Sequence, residues 1–148
     1  MKKTLFTVIC VILLLFCFIT CDGIGITGGI HDPVEDILIR RHSISAGDPF
    51  ANQYSVLETT FNNPYVMTGT GESRVTVRID ILPETAPFGF TVTSSHPTQV
   101  WFDMPKFRIV ANGPADLVVL TFTSTGKMAN GLPRQRHVFI RSTVVDTR

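Results

Sequence analysis

Beyond position 21 the chain contains no cysteine. All three thiols, Cys10, Cys17 and Cys21, fall within the first 21 residues, so the remainder forms neither a disulfide nor a thiolate metal site. Its stability has to come from an apolar core alone. Small exported domains outside bacteria more often carry a disulfide, and this chain also lacks an N-x-S/T acceptor; both point to a bacterial source. Charge is sparse as well, at 17% of residues with a net value of +1. Loss of Lys2 and Lys3 with a leader turns that into −1, which gives no global pull toward nucleic acid or an anionic membrane. After the leader no stretch of ten residues repeats apolar positions with a helical period, so no amphipathic helix is expected.

Catalytic and metal-binding patterns are lacking too. His31, His42, His96 and His137 are scattered, with no H-x-x-x-H pair of the kind metal sites use; no cofactor is expected. Ser94-Ser95-His96 sets hydroxyls beside an imidazole, but no G-x-S-x-G elbow or orienting acid accompanies them. Glu58, Glu72, Glu84 and Asp103 could flank a cleft, yet no spacing singles out a pair. Asp32, Glu35 and Asp36 lack the alternating ligands of a calcium loop. The glycines of 22–34 are not followed by G-K-[ST], so they read as a spacer rather than a phosphate loop. The chain is expected to be non-enzymatic.

What is present is, first, a leader. Lys2 and Lys3 precede the uncharged apolar run of 5–19, which is shorter than the ~20 residues a spanning helix needs. That is the layout of a cleaved secretory signal, with an uncleaved signal anchor as the alternative. Its end, Phe18-Ile19-Thr20-Cys21, resembles a bacterial lipobox, although the commonest pattern has Leu at the first of these places and Gly or Ala at the third. The resemblance implies a diacylglyceryl group on the Cys21 thiol, cleavage before it and acylation of the freed amine. Several acyl chains hold a protein stably at a membrane where one does not. The competing cut lies near Gly23. Residues 1–21 are thus the leader, 22–34 a flexible glycine-rich linker and 35–148 the domain, whose length suffices for one core.

Second comes β patterning. In 74–82 Val75, Val77, Ile79 and Ile81 alternate with Arg74, Thr76, Arg78 and Asp80, the mark of a half-buried strand. Further strands are expected at 35–43, 54–61, 66–68, 88–93, 99–103, 106–111, 117–124 and 138–145, with turns at 46–49, 62–64, 83–87 and 112–114. Leu57, Thr59 and Phe61 share one face of the second, and 117–124 reads as central. The run ADLVVLTFTS, a loop, then HVFIRSTVV resembles the last two strands of an immunoglobulin-like module, though without its cysteine pair and with Leu120 where its tyrosine would stand. The expected fold is all-β, an immunoglobulin-like sandwich of about seven or eight antiparallel strands, with a small barrel as the alternative.

Two surface features rise above this background. Residues 126–136 read as a long polar loop carrying Lys127, Arg134 and Arg136, suited to an acidic protein or glycan. Trp101, the only tryptophan, must face away from Val100; it is expected in the core, or else exposed as a stacking platform. The chain is therefore expected to be an envelope-localised, membrane-tethered binding module, facing periplasm or cell surface. The alternatives are a subunit of an envelope assembly or filament, and a small secreted enzyme or enzyme inhibitor.

Overall fold

The computed structural model describes residues 31–42 and 53–147; the leader, Cys21 and the turn expected at 46–49 lie outside them. Nine strands occur among the described residues: β1 (Asp36–His42), β2 (Tyr54–Val56), β3 (Tyr65–Met67), β4 (Ser73–Leu82), β5 (Phe90–Ser94), β6 (Val100–Asp103), β7 (Arg108–Ala111), β8 (Pro114–Lys127) and β9 (Pro133–Thr143). They form a five-stranded sheet, β2-β1-β4-β7-β6, and a four-stranded sheet, β3-β9-β8-β5. The expected all-β sandwich is the fold.

Alternation along the strands decides which side chains meet between the sheets. From the five-stranded sheet come Ile37 and Ile39, then Val77, Ile79 and Ile81, then Ile109 and Ala111; from the other come Val118, Leu120 and Phe122, with Val138 and Ile140, all buried. Phe122 packs against Phe90 and Phe102, its ring centroid 5.3 Å from that of Phe102. Val34, at the end of the stretch expected to be spacer, is buried in the same core, and its N–H donates to Lys127 O at 2.9 Å. Gly126 packs closely there: a Cβ at that position would lie 2.8 Å from Val34 Cγ2, so Val34 would have to shift to admit one.

Three expectations need correction. The strand expected at 54–61 ends at Val56. Leu57 is buried, but Phe61, placed on its face, is 67% exposed. The reason is a crossing: Leu57 N still bonds to Ile39 O of β1, whereas Thr59 Oγ1 accepts Phe139 N of β9 at 2.9 Å. Thr60 and Asn63 then close a turn. The chain passes between sheets rather than through a hairpin, so β3 lies parallel to β9 in a sandwich otherwise paired antiparallel. Each of the nine segments where a strand is expected holds one of the nine strands, close to the seven or eight expected of the sandwich. Finally, Phe88 precedes β5 and is 64% exposed.

The long β8–β9 ribbon slips register between Ala115 and Val118 and again between Thr123 and Lys127. Each irregularity leaves backbone groups off the ladder, and a side chain of the ribbon takes one up: at the first, Arg141 Nε donates to Asp116 O at 3.2 Å, and at the second the buried Ser124 serves two. Ser124 Oγ donates to Gly126 O at 2.6 Å and accepts Arg134 N at 2.9 Å. The other buried serine, Ser142, donates its Oγ to Gly113 O, just ahead of β8, at 2.6 Å. Buried polar groups without partners are costly, so Ser124→Ala is expected to destabilise the domain by about 1–3 kcal/mol. Ser55→Ala, at an exposed position of β2, is expected to stay within about 0.5 kcal/mol. Urea denaturation of the two variants checks the contrast.

Candidate functional site

The residues that alternate away from the core make the two sheets chemically different outside. On the five-stranded sheet β4 presents Arg74, Thr76, Arg78 and Asp80. Cross-strand register sets Arg78 beside Arg40 of β1, which in turn lies beside Val56 of β2. On the other side Thr76 pairs with Arg108 and Arg74 with Val110, while β6 adds Asp103 and Trp101 opposite these two. Four arginines thus share one face. On the four-stranded sheet the corresponding positions of β5, β8 and β9 are Thr91 and Thr93, Thr123 and Thr121, Gln135 and His137. There Thr121 Oγ1 stands 3.0 Å from His137 Nδ1.

The arginine face is incompletely neutralised. Asp80 is shared by two guanidinium groups, with Arg40 Nε 2.8 Å from Oδ2 and Arg78 Nε 2.7 Å from Oδ1. Arg74 pairs with Glu72, and Lys106 Nζ lies 3.9 Å from Asp103 Oδ2. No carboxylate among the described residues pairs with Arg108. An open groove of about 680 Å³ crosses this face, lined by Arg40, Tyr54, Arg78, Asp80, Leu82 and Phe88 among others. Tyr54 stacks obliquely on His42, with ring centroids 5.0 Å apart. Exposed ion pairs contribute little to stability, but a row of guanidinium groups with aromatic neighbours suits carboxylate, phosphate or sulfate recognition.

Trp101 belongs to this face and not to the core. Val100 and Phe102 turn inward, Val100 being fully buried, and Trp101 stays half-buried on the outside. Its cross-strand neighbour Val110 also faces outward, yet is only 2% exposed. The cross-strand neighbours of Val110 are Trp101 on β6 and Arg74 on β4, both long enough to shield a valine between them.

The basic residues of 126–136 do not converge. The long loop expected there is mostly strand, because β8 continues to Lys127 and β9 begins at Pro133. The hairpin between them is closed by Met128 N to Leu132 O at 2.7 Å. Lys127 is exposed. Arg134 reaches the other sheet, its Nη2 3.3 Å from Asp36 Oδ1. Arg136 sits opposite Phe122 on the inward-facing side of β9, half-buried at the rim of the core.

The four histidines stand apart: His31 near Thr85 O, His42 on Tyr54, His96 beside Ser95 and His137 beside Thr121. Ser95 Oγ lies 3.0 Å from His96 Nδ1 and also accepts Val119 N at 3.0 Å; no acidic partner for His96 occurs among the described residues. Nor does any group of three or more metal-ligating side chains among them. Asp32 accepts from Thr85, and Asp36 holds Arg134. No described helix is long and apolar enough to cross a membrane.

Because Trp101 is the only tryptophan, native fluorescence reports this face alone. Acrylamide is expected to quench it in the folded protein. Iodide is expected to quench it more strongly than caesium, since Arg74 and Arg108 stand nearby. A core tryptophan would resist all three, and Stern–Volmer titration of the folded domain distinguishes the cases.

Compared with known proteins, the chain matches no protein family, no curated protein and no solved structure.

Proposed function

We propose that this is an exported, lipid-anchored envelope protein acting as a non-enzymatic binding module. Its contact surface is the arginine-bearing face of the five-stranded sheet, and its partner is an acidic protein or glycan. One observation carries the choice of surface: Arg40, Arg74, Arg78 and Arg108 share that face with Trp101 and Tyr54, and Arg108 has no carboxylate partner among the described residues. The 126–136 hairpin offers no such cluster, as Arg134 is already committed to Asp36. The anchor rests on the lipobox-like Phe18-Ile19-Thr20-Cys21. The strand order β1-β4-β7-β6 facing β9-β8-β5 parallels the A-B-E-D and G-F-C sheets of immunoglobulin domains and supports an immunoglobulin-like reading of the sandwich. The fold by itself names no ligand.

Two measurements test this reading. Intact mass of the membrane-extracted protein is expected to show an N-terminus at Cys21 with added acyl mass, absent from Cys21→Ala; an unmodified N-terminus near Ile24 in the soluble fraction would remove the anchor. For the surface, heparin serves as an acidic glycan probe. The domain is expected to be retained at low salt, and an Arg78→Glu/Arg108→Glu variant to elute earlier. Lys127→Glu, on the hairpin, is expected to leave elution unchanged, and the reverse pattern would return the contact surface to 126–136.

A further inference from the structure

β4 is paired on different sides along its two halves. Residues 73–76 pair with β7, and residues 77–82 pair with β1. In an antiparallel strand successive residues direct their N–H and C=O groups to opposite neighbours. Leu82 O accepts Glu35 N at 2.7 Å, on the β1 side, and Val77 N donates to Phe107 O at 2.9 Å, on the β7 side. Ile79 and Ile81 therefore point their backbone groups the same way as Val77. The last β7 pair, however, is Thr76 with Arg108, and on that side no described residue bonds to the β4 backbone past the Val77–Phe107 contact.

The chain turns aside at this point for a visible reason. A short 3-10 helix, Met104–Lys106, with proline in its first turn, follows β6, and Phe107 adopts a left-handed conformation with φ 50°. Such a conformation is unfavourable for a bulky side chain. It is held by ring contacts, with Phe107 6.1 Å from Phe90 and 6.3 Å from Phe102 between centroids. The β6–β7 hairpin thus leaves β4 two residues before Ile79. Phe88, 64% exposed, and Phe107, 37% exposed, stand as apolar surface beside the vacated line, and Ile79, Ile81 and Phe88 line the 680 Å³ groove.

We infer that the 78–82 edge of β4 accepts an extended strand from a partner protein, continuing the line of β7. Unpaired strand edges are templates for such addition. The occupant's chemistry follows from the register. Its side chains opposite Ile79 and Ile81 turn toward the phenylalanine cluster and are apolar. Its side chain opposite Arg78 turns outward and is acidic, because it lies about 5 Å from Arg78 across the strands and about 7 Å from Arg108 along the strand. Arg78 shares Asp80 with Arg40, and Arg108 has no carboxylate partner among the described residues. An acid at that place meets two under-neutralised guanidinium groups. The inference stands on the β4 edge and does not depend on the lipid anchor.

The test uses the full chain, isotope-labelled, and a fluorescent synthetic peptide, Thr-Thr-Val-Thr-Val-Glu. Without peptide, the Ile79 and Ile81 amides are expected to exchange at least tenfold faster than those of Arg78 and Asp80, which pair with β1. The peptide is expected to bind saturably and to protect both. Methylating its backbone nitrogens on one edge is expected to cut affinity at least tenfold. Replacing its Glu by Lys is expected to weaken binding, and Arg78→Glu to reverse that preference. Ile79 and Ile81 amides already as protected as Asp80 in the free chain would overturn the inference. So would no saturable binding, or binding indifferent to N-methylation.

Discussion

The sandwich depends on one strand serving two partners. β4 is long enough to pair with β7 through its first half and with β1 through its second, so it ties the N-terminal strands to the β6–β7 hairpin. Its strict alternation delivers Val77, Ile79 and Ile81 to the core and, by the same period, Arg74, Arg78 and Asp80 to the outside. Core and arginine face are two consequences of one pattern. A one-residue slip would exchange them, and the buried isoleucines are what forbid it.

The two sheets are joined by more than apolar packing. Arg134 of β9 pairs with Asp36 of β1, and Arg41 of β1 stacks its guanidinium 5.7 Å from the ring centroid of Tyr65 on β3. Both contacts run from the β1 edge to the opposite sheet, on the side where the chain crosses over at Thr59. Such partly exposed contacts add little energy singly. Their use is geometric, because they fix the rim of a core that lacks a disulfide.

Much of this was legible in the sequence, and what was not has a physical reason. The alternation at 74–82 located β4 and identified its outward arginines, since a period of two needs no tertiary information. It could not show that Arg40 and Arg108 join them, because strand order and register arise from pairing across more than 30 positions. Trp101 is expected in the core from the sequence, yet its parity with Val100 places it outside once Val100 takes the buried position. The polarity of 126–136 reads as a loop, and Gly126, Gly131 and Pro133 stand within it. Gly126 is instead a point of close packing, and Pro133 is the first residue of β9, where proline is tolerated. Periodicity alone places Phe61 and Phe88 in strands, and turns at Thr60–Asn63 and before β5 take them out.

The parallel placement of β3 beside β9 has a further consequence, for mechanical load. The chain enters the domain where Val34 bonds to Lys127, at one end of β8, and β9 ends where Thr143 pairs with Pro114, at the other. These points lie roughly 40 Å apart at about 3.3 Å per residue along the strand. Traction between them runs along the strands, sliding β9 past β3 and β8 so that their hydrogen bonds resist together in shear. A domain tethered ahead of β1 and pulled from beyond β9 is loaded in its strongest direction, and peeling would require force across the sheet.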